Sequence, residues 1–419
     1  MPCKLVYAGK TGFGYHRKIA RGGRINMRGA MLYVNAGKGH YMPAKALSDS
    51  MTRNGHEAIL EELFVVIDAP FWKWFCKYDW RFLLHHPNLE RFVHPLTDTK
   101  FSAHLLRKHA KRKHYAEHFR TWYEREKPDF IVSTNFIGGI VLPEIAEQAG
   151  VSIPIFSYSA DVFDTPIAGI TPKLTKLYLP SELGCKNAIK HGQKPEEVEY
   201  CSFPLQKGLA GFRTIPKQEA RLRLGLKDKF TVLFALGGEG IGRPKFLYEV
   251  VRRKLDWQVV AVGKMSRTTK AAYEKFARRN PHFDLVMPGF VDNINEYLCA
   301  ADVQVGKAGA NALMESIYLH RPCLISELLY AARSSALFLE EYGVGWCENN
   351  IGKQVDIVEE CFARPEILEE MESNFQKVPL KFGADAFIDQ LIAATEEYNG
   401  LRHGIENIQV QTDAHLRII

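Results

Sequence analysis

Two short apolar runs, each closed by a cluster of glycines and each followed by a helical pattern, constrain this chain more than any other feature. Met31-Leu32-Tyr33-Val34-Asn35 leads into Ala36-Gly37-Lys38-Gly39-His40, after which Tyr41 to Arg53 carries Ala44, Leu47 and Met51 at helical spacing. Phe230-Thr231-Val232-Leu233-Phe234-Ala235-Leu236 leads in the same way into Gly237-Gly238-Glu239-Gly240. A strand, a glycine turn and a helix open a Rossmann-like unit. Further strands are predicted at 58–67, 128–133, 153–157 and 176–179 after the first opening, and at 257–262, 283–287, 303–305 and 322–325 after the second. Strands alternating with helices give parallel sheets covered on both faces. The fold class is α/β with two Rossmann-like domains, and a chain of 419 residues is too long for one ordinary core.

The first domain is expected over 31–205 and the second over 217–375, with Leu205 to Pro216 as linker and hinge. Residues 376–419 are a C-terminal helix and tail, helical in pattern from Asp385 to Tyr398. Residues 1–30 hold Lys4, Lys10, Arg17, Lys18, Arg21, Arg24 and Arg28 and no acid. This basic leader is either a targeting segment or the product of a mis-assigned start, with Met27 or Met31 the true first residue.

An apolar content of 46% with 25% charged residues excludes a disordered or fibrous chain. No apolar run reaches the ~20 residues that span a bilayer. The best candidate, Phe130 to Ala146, is broken by Ser133, Thr134, Asn135, Pro143 and Glu144. The eight cysteines are scattered, without a C-x-x-C pair or zinc spacing, and read as reduced thiols of a cytoplasmic protein with no metal site. The net charge of +7 is mild, and no nucleic-acid partner is expected. Its distribution says more. Phe71, Trp72, Trp74, Phe75, Tyr78, Trp80 and Phe82 alternate with Lys73, Lys77 and Arg81, and Arg107, Lys108, Lys111, Arg112, Lys113 and Arg120 follow. Rings beside bases suit the headgroup layer of a membrane, where anionic lipid adds ~1 kcal/mol per nearby base. The expected partner of Phe71–Arg120 is an anionic membrane surface, and the expected location is cytoplasmic and peripheral on the membrane.

Four segments carry chemistry. Gly37-Lys38-Gly39-His40 opens a helix, whose N-terminus favours negative charge. His40 reads either as the general base that takes an acceptor proton or as a cap of its own helix. Gly237, Gly238, Glu239 and Gly240, with Arg243 beyond, read as a pyrophosphate cradle or a plain tight turn. Lys307-Ala308-Gly309 precedes a helix carrying Glu315, and Lys307 with that helix end suits a departing diphosphate. Glu315 reads as an acceptor of two ribose hydroxyls or as a complement to the helix dipole. Gly289-Phe290-Val291 ends a strand where a base would stack.

In this order the four motifs resemble the monogalactosyldiacylglycerol synthase and processive diacylglycerol glucosyltransferase family over roughly residues 31–375. More distantly, the chain is similar to the peptidoglycan lipid-intermediate N-acetylglucosaminyltransferase. The resemblance implies a GT-B fold with its two domains facing across a cleft. It implies an inverting hexosyltransferase of glycolipid biosynthesis that uses a UDP-sugar as donor substrate, with no cofactor and no essential metal, and a lipid such as diacylglycerol as acceptor. By position it makes His40 the base and puts Asp161 on the acceptor side. Gly289, Phe290 and Val291 become the uracil-reading turn, Lys307, Ala308 and Gly309 the phosphate loop, and Glu315 the ribose ligand. Two departures stand out. The family's Pro-Gly-Thr after the loop is here Ala310-Asn311-Ala312, and its sugar-reading Gln-Glu pair is Ala332-Arg333. Arginine forks onto carboxylates and phosphates. Arg333 therefore reads as a reader of a uronic-acid donor, or as a partner of the pyrophosphate or a nearby acid. Rival readings are a soluble acceptor, a UDP-sugar epimerase of the same fold and a non-catalytic binder.

Overall fold

The computed structural model describes residues 26–236, 244–307 and 309–416. The first sheet comprises β1 (Arg28–Tyr33), β2 (Glu57–Glu62), β3 (Phe130–Ser133), β4 (Ile155–Tyr158), β5 (Lys176–Leu179) and β6 (Val198–Tyr200), in the order β2-β1-β3-β4-β5-β6. The second comprises β7 (Thr231–Ala235), β8 (Gln258–Val262), β9 (Asp284–Gly289), β10 (Val303–Lys307), β11 (Cys323–Glu327) and β12 (Gly345–Cys347), in the order β12-β11-β10-β7-β8-β9. Every pairing is parallel. β3 and β4 are buried at every position, as strands covered on both faces must be. These are two Rossmann-like α/β domains of GT-B architecture.

Several boundaries move. β1 begins at Arg28 and not Met31, because Arg28 is tied by its backbone N–H to Asp129 (2.8 Å) and by its guanidinium to Glu126 (2.7 Å). The apolar run predicted as one strand over 58–67 is a strand only to Glu62. A short helix, Leu63–Val66, takes over and buries Leu63, Phe64 and Val66. Residues 1–25 and 237–243, with Ala308, lie outside the described residues, so the leader, Gly237, Gly238, Glu239, Gly240 and Arg243 are not placed.

The C-terminal helix Ala384–Leu416 returns to the first domain. Phe387, Ile388 and Leu391 are fully buried there. The Phe387 ring meets Tyr158 of β4 at 5.6 Å and Tyr178 of β5 at 4.9 Å. Each such side chain contributes about 1.5–3 kcal/mol. Arg53 pairs with Asp385 at 3.0 Å and fixes the start of the helix. The chain thus crosses between domains twice, and the crossings run side by side. Phe203 donates to Lys381 O (2.7 Å), and Gly383 donates back to Phe203 O (2.9 Å).

The largest insertion lies between β2 and β3. Helices Pro70–His85, Pro87–Thr97, Lys100–Ala110 and Lys113–Glu126 follow one another there. Phe71, Trp74, Phe75, Tyr78 and Phe82 recur at helical spacing on the first of them, yet all five are exposed. Phe92, Leu96 and Phe101 extend the apolar surface over the next two helices, each more than 60% exposed. On the first helix the rings of Phe71, Trp74, Phe75 and Tyr78 form one cluster with centroids 5.3–6.5 Å apart, and an exposed apolar cluster of this kind suits an interaction surface.

Candidate active site

Each sheet has a switch point where strand order reverses. β1 lies between β2 and β3, and β7 lies between β8 and β10. Open α/β sheets bind ligands beyond the carboxyl ends of the strands at such points. In this chain the two points are linked to each other. Asn311 Nδ2, on the helix after β10, donates to Lys38 O after β1 (3.3 Å), and Lys307 Nζ donates to Leu84 O (2.9 Å).

At the first switch point Gly37 has φ 87°, a conformation that favours glycine, and the helix Lys38–Arg53 starts directly after it. That start carries no side-chain cap, so His40 does not cap its own helix. Its Nδ1 lies 2.9 Å from the carbonyl oxygen of Thr134, at the end of β3. A carbonyl only accepts, so Nδ1 carries the proton and Nε2 keeps the lone pair. Thr134 Oγ1 donates in return to His40 O (2.7 Å). Burial lowers the His40 pKa to about 4, against the opposing pull of the Thr134 bond. The ring is therefore neutral, with a fixed tautomer, throughout the neutral range.

At the second switch point β10 changes register against β11 between Gly306 and Lys307. Bulges of this kind re-aim side chains beside sites. Lys307 pairs with Glu327 at 2.7 Å, so a diphosphate there would share the ammonium with a carboxylate. Gly309 stands at the N-cap of helix Ala310–Tyr318 with no side-chain cap bond. The helix leaves its first N–H groups for an anion. Glu315 lies on the same helix, half-buried, and burial alone pushes its carboxyl up to about 7. Gly289 ends β9 at φ 82°, Phe290 is exposed beside it, and Val291 packs into the domain core.

Asp161 belongs to a charged network that spans both domains. Burial, and then the charge of Asp164, pushes its carboxyl up to about 7, while His94 and Arg333 pull it down. Asp164 accepts from His191 Nε2 (2.9 Å), Arg333 Nη2 (2.9 Å) and Ser334 Oγ (3.1 Å). Arg333 also stacks on the Tyr330 ring at 4.0 Å. Glu90 is fully buried; it accepts from His94 Nδ1 (2.7 Å) and from the Tyr330 backbone N–H (2.9 Å). The hydrogen bond to Glu90 holds His94 above the usual histidine range. Arg333 thus already has a carboxylate partner within the protein. Glu90, His94, Asp164 and Tyr330 were not anticipated. The four-residue step from Glu90 to His94, both on helix Pro87–Thr97, is the one local signal they leave.

Residues 254–349 match the model of the glycosyltransferase family 28 C-terminal domain. The chain is 24% identical over 275 residues to a processive diacylglycerol beta-glucosyltransferase of Bacillus licheniformis, covering 65% of this chain and 70% of that protein. It is 22% identical over 368 residues to monogalactosyldiacylglycerol synthase 2, chloroplastic, of Arabidopsis thaliana, covering 83% of this chain and 76% of that one. Among solved structures, MurG of Acinetobacter baumannii superposes with a TM-score of 0.56 at 13% identity, over 87% of this chain and 99% of that chain. HepE of Anabaena, in complex with UDP and glucose, superposes with a TM-score of 0.54 at 11% identity, over 89% and 100%. The likeness in structure is one of fold.

Proposed function

We propose that this chain, a GT-B protein related at low identity to diacylglycerol glycosyltransferases and to MurG-like proteins, is an inverting hexosyltransferase. It moves a sugar from a UDP-sugar to a lipid acceptor such as diacylglycerol, working on the cytoplasmic side as a peripheral membrane protein. One observation carries the reading. A neutral histidine with a fixed tautomer stands at the switch point of one domain, linked to the phosphate-loop helix of the other.

The reaction balances simply. An acceptor hydroxyl oxygen attacks the anomeric carbon, the bond to the diphosphate oxygen breaks, UDP departs, and the hydroxyl proton passes to Nε2 of His40. Lys307, Gly309 and the N-terminus of helix Ala310–Tyr318 meet the charge that develops on the diphosphate. Glu315 receives the ribose, and Gly289, Phe290 and Val291 receive the base. Asp161 and the network around it border the acceptor side, and domain closure about the paired crossings at 203 and 381–383 assembles the site. The exposed aromatic helix Pro70–His85, with Lys73, Lys77 and Arg81 beside its rings, supports a membrane-bound acceptor. The Asp164 partner of Arg333 supports a neutral hexose over a uronic acid.

Purified protein incubated with a panel of UDP-sugars, UDP-glucuronate included, and mixed lipids tests this, with mass spectrometry of the lipid fraction. The expected product is a lipid carrying one or more neutral hexoses. Sugar appearing only on a water-soluble acceptor, or a donor epimerised without transfer, would refute the lipid assignment.

A further inference from the structure

We infer a second site, independent of sugar transfer: Asp68, His114 and His118 form a binding site for a divalent transition-metal ion of the zinc class. The ion ties the root of the aromatic helix to the helix behind it.

Three observations converge. His114 and His118 stand four residues apart on one face of helix Lys113–Glu126, with ring centroids 4.4 Å apart. Asp68 occupies the turn between helices Leu63–Val66 and Pro70–His85, held at φ 47° in the left-handed region. Aspartate is among the few non-glycine residues that adopt this conformation. It brings Oδ2 to 3.3 Å from His114 Nε2 and 3.6 Å from His118 Nε2. All three donor atoms lie within 4.8 Å of one another, and among the described residues no other group of histidine, cysteine and acid side chains meets this condition.

The distances suit an ion. Tetrahedral zinc with bonds of about 2.0–2.1 Å has neighbouring ligand atoms roughly 3.3–3.4 Å apart. The observed 3.3 and 3.6 Å separations therefore need only small shifts to enclose a cation. Two imidazoles and one carboxylate select zinc, cobalt or nickel over calcium or magnesium, which prefer all-oxygen shells. Three protein ligands leave a fourth position for water. His114 Nε2 also lies 3.0 Å from Asp68 O, and a ring that ligates the ion through Nε2 carries its proton on Nδ1 instead. The nearest lysine on the helix, Lys113, is turned to Glu117 at 3.4 Å. All three ligands are exposed, so the ion has open access.

Position explains the effect. Asp68 precedes Pro70, the first residue of the aromatic helix, and the histidine helix is anchored by the buried Tyr115, Ala116, Phe119 and Trp122. A bound ion cross-links an exposed element to a buried one and stabilises both by mass action.

Titration of the full chain with Zn²⁺ by calorimetry tests the site, with Co²⁺ used for its ligand-field spectrum. The wild-type chain should bind one Zn²⁺ equivalent that the His114→Gln/His118→Gln variant binds at least ~100-fold more weakly, since even outer-shell changes at metal sites cost 10–100-fold. Asp68→Asn should weaken binding too, and His104→Gln, on a different helix, should leave it unchanged. Co²⁺ should give a tetrahedral spectrum, and Zn²⁺ should slow amide exchange over 63–72. Equal Zn²⁺ affinity in the wild type and the double variant, or an equal loss in His104→Gln, would overturn the site.

Discussion

The same topological step is built very differently in the two domains. In each sheet the chain must cross back over the first strand to start the other half. The second domain does this in residues 290–302, with one short helix, Ile294–Ala300. The first domain uses residues 63–129 and a run of successive helices. Neither crossing alters the strand order around its switch point. The difference lies in what is displayed. The short crossing adds only the seven-residue helix Ile294–Ala300 to the second domain. The long one presents Phe71, Trp74, Phe75, Tyr78 and Phe82 to solvent and carries Glu90 and His94 across to the other domain. In the proposed reaction the elaborated half would set acceptor specificity and the plain one would handle the donor.

That contrast can be broken in separate pieces. Replacing Phe71, Trp74 and Tyr78 together with serine should abolish co-sedimentation with anionic liposomes. Each ring that enters the interface contributes about 1.5–3 kcal/mol, so three amount to a loss well beyond ~100-fold. UDP binding, measured by calorimetry, should not change, and unchanged liposome binding would detach the long crossing from the membrane. Lys307→Ala attacks the other half. It should lower the efficiency of transfer by ~10–100-fold through the loss of one charged contact to the diphosphate, while liposome binding stays intact. A change in liposome binding without a change in transfer would reverse the assignment of the halves.

Much of this division was legible in the sequence, and the reasons are physical. The buried parallel strands are continuous apolar runs, and Lys176–Leu179 appears as predicted. The two glycine clusters that follow apolar runs mark both domain openings in the sequence. The run over 58–67 misled because a buried strand and a buried helix look alike over so short a span. β6 and β12 are three-residue edge strands with no periodicity to detect. The aromatic-basic stretch stands out in the sequence by composition. Its spacing of 71, 74, 75, 78 and 82 is that of a helix with an outward apolar stripe. The Glu90–Tyr330 and Asp164–Arg333 contacts join residues far apart in the chain, and only the packing of two domains brings them together.

The smallest expected effect concerns the network between the halves. Asp161 titrates near 3.8 when unfolded and at about 7 in the fold. A carboxyl raised in this way favours the folded state when protonated, so its contribution is complete below about pH 4 and is lost as pH rises through 7. Asp161→Asn should therefore match the wild type near pH 4 and exceed it above pH 7, by roughly 2–4 °C in Tm for each kcal/mol recovered. Thermal melts at the two pH values check this, and a variant less stable than wild type at high pH would contradict the burial of a charged Asp161.

The proposed reaction rests on His40 as the base that takes the acceptor proton. It is tested most directly by single-turnover sugar transfer in the wild type and His40→Ala, with UDP affinity measured on the same samples. A rate ~100-fold lower or more in the variant with UDP affinity unchanged is expected, and transfer at the wild-type rate would show that His40 is not the base.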